Sequence, residues 1–163
     1  MSTHAAQRTA GVVVSSTRAA AGIYQDTSAP VLSQWLAGQG FHVIPARVVS
    51  DGAAVAEALR ELLAVGPSVI LTTGGTGLSA DDLTPEMTLP LLERQIPGVM
   101  EAIRAAGAAA TPLAALSRGY AGTAGKTLIV NLPGSAGGIK DGLRVLEPLI
   151  GHLCDQLEGS HEH

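Results

Sequence analysis

Short β-branched runs alternate along this chain with stretches whose apolar residues recur at helical spacing, and that alternation restricts the fold more than any other feature. Thr9-Ala10-Gly11-Val12-Val13-Val14-Ser15 reads as a buried strand, as does Ser68-Val69-Ile70-Leu71-Thr72. Between them, Val31, Leu32, Trp35 and Leu36 fall at helical spacing, with Asp26 or Ser28 as cap, Pro30 in the first turn and Gly38 and Gly40 as the stop. Phe41 to Val49 is expected to be a second strand, at an edge or broken at Pro45, because proline cannot donate to a ladder. Val55, Leu59, Leu62 and Leu63 then form an apolar stripe opposite Glu57, Arg60 and Glu61, ended by Gly66-Pro67.

The second half continues the pattern. A helical stretch runs from Pro85 towards Glu93, and Pro97 permits a fresh start through Val99, Met100 and Ile103. Leu113 to Tyr120 and Lys126 to Asn131 are expected to be strands separated by the turn residues Gly122 and Gly125. One last helix is expected to carry Ile139, Leu143, Leu146, Leu149, Ile150, Leu153 and Leu157. This order predicts a three-layer α/β/α sandwich with a mostly parallel sheet and right-handed crossovers. A hydrophobic fraction of 46% with only 2% aromatic residues requires a core of small aliphatic side chains, which suits helices laid closely on such a sheet.

The length of 163 residues is that of one domain, expected at 9–157 between a flexible N-terminus, 1–8, and a flexible tail, 158–163. A net charge of −4 supplies no broad basic surface for nucleic acid. Cys154 is the sole cysteine, so neither an intramolecular disulfide nor a cysteine-based zinc site can form. Val12-Val13-Val14 is far shorter than the roughly 20 apolar residues a bilayer requires. With no basic segment leading into an apolar signal core, a soluble, cytoplasmic protein is expected. His152, His161 and His163 read as solvated residues rather than a metal site, because nothing rigid fixes their geometry.

The chemistry sits in the loops. Leu71-Thr72-Thr73 runs into Gly74-Gly75-Thr76-Gly77, where missing side chains permit positive φ and leave backbone N–H groups open to an oxyanion. Ser79, Asp82 and Thr84-Pro85 follow within a few residues. Ser15-Ser16-Thr17-Arg18 follows the first strand, Asp51 the second, and Leu132-Pro133-Gly134-Ser135 the last. If those strands are parallel, all four loops share one sheet edge and line one cleft. Asp51 and Asp82 beside a phosphate cradle would repel a polyphosphate unless a divalent cation stood between them, and Mg²⁺ suits carboxylates plus phosphate oxygens. The implied class is phosphoryl or nucleotidyl transfer. No Gly-Lys-Ser/Thr follows the glycines and no Gly-x-Gly-x-x-Gly turn starts at Gly74, so the site is neither a P-loop nor a dinucleotide turn.

Each of these residues also has a purely structural use. Asp82 can cap the helix begun by Thr84-Pro85, Asp51 can serve an Asp-Gly turn, and Pro133-Gly134-Ser135 can close a strand and cap the last helix. Asp81 reads as solvated, and Arg18 either binds phosphate or covers the cleft rim. Lys126 and Lys140 are the only lysines; Lys126 reads as a solvated turn residue. Trp35 and Cys154 read as core.

Gly-Gly-Thr-Gly at 74–77, four residues, Asp82, one residue and then Thr84-Pro85, preceded by Leu71-Thr72-Thr73, resembles the signature of a molybdenum cofactor biosynthesis family of the MoaB/Mog type. That family includes the molybdopterin adenylyltransferases and the gephyrin G domain. Ser15 to Arg18 with Gly22 to Asp26, Val49-Ser50-Asp51, and Asn131 to Ser135 are similar to its first, second and late loops, in the right order over nearly the whole chain. The resemblance implies a homotrimeric enzyme that uses Mg²⁺ and ATP to adenylylate the terminal phosphate of molybdopterin, releasing pyrophosphate. It implies catalytic and Mg²⁺-positioning roles for Asp51 and Asp82. Gly74, Gly75, Thr76, Gly77, Ser79 and Thr84 would hold nucleotide phosphates, and Ser15, Ser16, Arg18, Pro133, Gly134 and Ser135 would shape a molybdopterin cleft. A molybdate-inserting protein is the partner it implies for the product. Some relatives are not assured adenylyltransferases, which leaves a molybdopterin-binding or carrier protein as the alternative. A general flavodoxin-like nucleotide or flavin binder fits less well, because few aromatic residues are present to stack a flavin.

Overall fold

The computed structural model describes residues 6–159 and builds them around one seven-stranded sheet. In chain order, β1 (Thr9–Ser15) leads through the short α1 (Thr17–Ala20) and α2 (Ser28–Gly38) to β2 (His42–Val43) and β3 (Arg47–Val49). Next come α3 (Ala53–Val65), β4 (Val69–Thr73), the brief α4 (Thr84–Thr88), a 3₁₀ turn at Leu89–Leu91 and β5 (Arg94–Gln95). α5 (Pro97–Ala108), a second 3₁₀ turn at Pro112–Leu116, β6 (Ala121–Ala124), β7 (Thr127–Leu132), α6 (Ala136–Leu146) and α7 (Ile150–Leu157) complete the described chain.

The sheet order is β2-β1-β4-β7-β6-β5, with β3 also on β1; β1 to β4 and β7 are mutually parallel, and β6 is antiparallel to both of its neighbours, β7 and β5. Successive strand residues face opposite sides, so one buried strand feeds two cores. Val12, Val14, Leu71, Val130 and Leu132 pack under α2, α5, α6 and α7 with Leu32, Leu36, Ile103 and Leu146. Val13, Ile70 and Ile129 face the other way, onto Val55, Leu59 and Leu62 of α3. The result is the α/β/α sandwich expected from the alternation. Burying each of these aliphatic side chains stabilises the fold by about 1.5–3 kcal/mol before chain entropy is counted.

Proline accounts for the local divergences from the sequence reading. The second strand does break at Pro45, leaving β2 and β3 as separate short pairings with β1. The helix expected from Ile139 to Leu157 is two helices, because Pro148 has no N–H to continue the hydrogen-bond ladder and its ring crowds the preceding turn. Leu113 to Tyr120 is not a strand: Pro112 starts a 3₁₀ turn there, with Thr111 Oγ1 accepting from Leu113 N at 3.2 Å. Gly122 is a strand residue rather than a turn, paired with Gln95 and Ile129, and glycine is required because a Cβ there would stand 2.3 Å from Arg94 O of the adjacent β5.

Trp35 is partly buried against the larger core and Cys154 is fully buried in it. Burial pushes the Cys154 thiol up from 9.0 to about 11, with the Arg8 charge pulling the other way. Arg8, just before β1, donates to Asp155 of α7 and to Glu158 just after it, at 2.5 and 2.7 Å. No helix among the described residues is long and apolar enough to cross a membrane.

Candidate functional site

Strand register brings the four polar loops together. Ser15 pairs with Val49, Val14 with Thr73 and Thr73 with Leu132, so Ser16, Ser50, Gly74 and Pro133 all leave the sheet at the same carboxyl edge. Side chains then tie loop to loop. Ser15 Oγ donates to Asp51 Oδ1 at 2.6 Å, and Thr17 Oγ1 donates to Asp51 Oδ2 at 2.8 Å. Thr73 Oγ1 donates to Pro133 O at 2.8 Å, joining the end of β4 to the loop after β7.

The glycine loop is compact because its backbone uses conformations and spaces closed to other residues. Gly74 has φ +86°, and a Cβ on it would stand 2.3 Å from Ser15 O. Gly75 has φ +69°, and its Cβ would meet Thr84 Oγ1 at 2.3 Å and Ser15 Oγ at 3.0 Å. Thr84 N donates to Gly75 O at 3.0 Å, so the start of α4 holds the turn. Thr84 itself is fully buried, and its hydroxyl is the buried side-chain polar atom without a partner among the described residues. An orphaned hydroxyl beside a side-chain-free backbone is what an oxygen-rich ligand or ordered water would satisfy.

Asp82 is half-buried against Gly77, whose Cβ would come within 2.7 Å of Asp82 Oδ2. That oxygen accepts from Ser79 N at 2.9 Å, and Asp82 N returns a bond to Ser79 O at 2.9 Å. The carboxylate therefore folds back on its own loop, and the residue before α4 makes no side-chain cap for it. A Cβ on Gly52 would lie 3.7 Å from Leu83 Cδ1, so the residue after Asp51 abuts the residue after Asp82. The two carboxylates thus stand on adjoining loops.

A cleft of about 420 Å³ opens over this edge, lined by Ser15, Ser16, Tyr24, Asp26, Gly74 and Gly134 among others. Ser16 shares a 2.7 Å hydrogen bond with Tyr24 and also caps α1. Asp26 binds the Ser28 and Ala29 amides at 3.2 and 2.7 Å, which is the cap expected for α2. Ser135 accepts from Gly138 N at 3.0 Å and caps α6, while Gly134 borders the opening. On the far side of Gly134 lies a more apolar hollow of about 330 Å³ between Ile103, Leu113 and Pro133, with Arg104 and Asp141 at its margin.

Of the anticipated residues, Ser15, Ser16, Gly74 and Gly134 line this cleft, whereas Asp51, Asp82, Gly75, Gly77 and Thr84 stand on the adjoining loops outside its lining. Thr76 is buried and accepts from Ser117 Oγ at 3.3 Å. Ser79 is exposed, as is Arg18, which forms no side-chain hydrogen bond or ion pair with the described residues. His152, Lys126 and Lys140 are exposed, whereas His161 and His163 lie outside the described residues. Sequence reasoning passed over Thr17 as an Asp51 partner, Tyr24 on the cleft wall, and Arg118, which reaches the glycine loop from 36 residues beyond Asp82. Thr17 lies in the hydroxyl-rich loop after β1; nothing local marked Arg118.

Residues 11–152 match the family described as "Probable molybdopterin binding domain". The chain is 35% identical over 147 residues to the molybdopterin adenylyltransferase of Haemophilus influenzae, covering 88% of this chain and 75% of that protein. It is 36% identical over 152 residues to the molybdenum cofactor biosynthesis bifunctional protein of Synechococcus elongatus, where 93% of this chain spans only 48% of the relative. The solved molybdopterin biosynthesis Mog protein of Mycobacterium ulcerans superposes with a TM-score of 0.89 at 47% identity, over 92% of this chain and 99% of that one. The chain belongs to the molybdopterin-binding domain family of molybdenum cofactor biosynthesis.

Proposed function

We propose that this chain is a molybdopterin adenylyltransferase: with ATP it adenylylates the terminal phosphate of molybdopterin and releases pyrophosphate. The observation that carries the reading is the convergence at one sheet edge of the Gly74-Gly75 turn, the unpartnered Thr84 hydroxyl and the hydroxyl-bound Asp51. The similarity to the Haemophilus influenzae adenylyltransferase supports it.

In the reaction, a phosphate oxygen of the pterin attacks the α-phosphorus of ATP, the new P–O bond forms, and the bond to the β-phosphate bridging oxygen breaks. The attacking oxygen is already anionic, so no general base is required, and the protein's task is alignment and neutralisation of charge. Gly74 and Gly75, with Thr76, Gly77, Ser79 and Thr84 around them, hold nucleotide phosphates in this reading. Ser15, Ser16, Arg18 and Pro133 to Ser135 border the pterin.

Asp51 and Asp82 act as carboxylates that position Mg²⁺. Among the described residues no group of three or more His, Cys, Asp or Glu gathers as a metal cage. Two oxygen donors on adjoining loops fit Mg²⁺, which binds through one or two carboxylates and completes its shell with phosphate oxygens and water. When bound, the ion offsets charge on the reacting phosphates. Ser15 and Thr17 fix the Asp51 carboxylate from two sides, and the Ser79 amide fixes that of Asp82.

Residues 9–157 form the working domain, which acts as a cytoplasmic homotrimer and passes its product to a molybdate-inserting protein. Light scattering checks the trimer, and a stable monomer overturns it. The activity is tested by supplying molybdopterin, ATP and Mg²⁺ and measuring adenylylated pterin together with pyrophosphate. Turnover is expected; tight pterin binding without turnover would leave a carrier instead.

A further inference from the structure

We infer that Arg118 is a positioning residue for Asp82, acting through the backbone of the loop between Gly77 and Asp82; its link to turnover rests on the adenylyltransferase reading. Each of its three guanidinium nitrogens donates a hydrogen bond. Nε donates to Gly77 O at 2.8 Å, Nη2 to Asp82 O at 2.8 Å and Nη1 to Glu86 Oε1 at 2.5 Å. Its own backbone N–H donates to Thr76 O at 2.9 Å. One side chain therefore joins both ends of the loop and anchors them to α4.

The loop depends on this clamp. Leu78, Ser79, Ala80 and Asp81 are all exposed, so packing does little to hold them. Among the described residues, no other hydrogen bond reaches residues 77–82 from outside that segment. Inside it, the Ser79 amide orients the Asp82 carboxylate and the Asp82 amide returns to Ser79 O, each at 2.9 Å. A planar guanidinium with donors in a fixed fork sets the separation of the two carbonyls it binds. Lysine keeps the charge but cannot reproduce that fork.

The rest of the phosphate cradle is fixed by other means. Gly75 O is held by Thr84 N, Gly74 abuts Ser15 O and Gly134, and Thr73 ties to Pro133. Loss of Arg118 should release Asp82 while leaving Gly74 and Gly75 in place. This separates it from a residue that binds the nucleotide directly.

The test uses the full chain as wild type, Arg118→Ala and Arg118→Lys. Amide hydrogen exchange at Ser79 and Asp82 reads the loop without any ligand, and calorimetry with ATP alone reads the remaining cradle. In both variants exchange at the two amides should accelerate by about tenfold or more, the scale set by losing charge-assisted hydrogen bonds, while exchange at Thr84 stays protected. The Mg²⁺ concentration for half-maximal turnover should rise about tenfold, with metal-free ATP affinity changed by no more than about threefold. Unchanged exchange at Ser79 and Asp82, or full restoration by Arg118→Lys, would overturn the inference. If the alanine variant does not fold, Arg118→Lys alone decides, because it retains the stem and the charge. If wild type gives no turnover while the exchange results hold, the adenylyltransferase reading fails and the positioning role stands.

Discussion

Ser15 Oγ donates to Asp51 Oδ1 at 2.6 Å, so the last residue of β1 orients the carboxylate that follows β3. Those strands are parallel neighbours and Ser15 is paired with Val49, which fixes the distance between hydroxyl and loop independently of any ligand. A hydrogen bond to a charged group contributes about 1.5–3 kcal/mol. Ser15→Ala should therefore lower adenylyl transfer by about tenfold or more, with a much smaller effect on thermal stability because Thr17 still holds Asp51. Steady-state kinetics alongside a melting curve checks this, and unimpaired turnover would remove Ser15 from the site.

Asp82→Asn should reduce Mg²⁺-dependent turnover by about a hundredfold, in line with the loss of one preorganised electrostatic group. The amide oxygen can still accept from Ser79 N, so the loop and the fold are expected to survive. Matching circular dichroism with collapsed turnover is the expected pair of results. Wild-type turnover in the variant would show that the charge at position 82 is not used.

The sheet edge was legible in the sequence because strand-loop alternation is a local signal: Thr9–Ser15 is the strand read from its β-branched run, and the loops after β1, β3, β4 and β7 do leave together. Partners of those loops were less legible. Arg118 meets Gly77 and Asp82 across 41 and 36 residues, and its neighbours Ser117 and Gly119 carry no motif that predicts the contact. The Asn131 side chain likewise joins Thr72, Thr88 and Tyr120 in a buried network that only the packed sheet creates. Pro148 was a readable break, but the continuous apolar period of α6 and α7 concealed it.

Gly75 should tolerate no side chain. At φ +69° an alanine is strained, and its methyl would fall 2.3 Å from the buried Thr84 hydroxyl. Backbone strain of this kind costs about 1–3 kcal/mol, which for a chain of this size lowers the melting temperature by roughly 3–10 °C. Gly75→Ala should show that drop in calorimetry and weaken ATP binding as well. Full retention of both would mean that the turn can open without consequence.

Arg8 and Glu158 should give stability a distinct dependence on acid. The hydrogen bond from Arg8 is the main cause that holds the Glu158 carboxyl below its ordinary 4.5, with its positive charge assisting and slight burial and Asp155 opposing. A carboxyl depressed in the folded state binds fewer protons there than when unfolded, so its stabilisation is present above about 4.5 and disappears as pH falls through the folded value. Glu158 is exposed, and the contribution is accordingly small. Glu158→Gln should lower the urea midpoint slightly at pH 7 and converge on wild type as the medium is acidified below the carboxylate range. A difference between the two proteins that persists or grows in acid would show that the substitution acts through something other than the Glu158 charge.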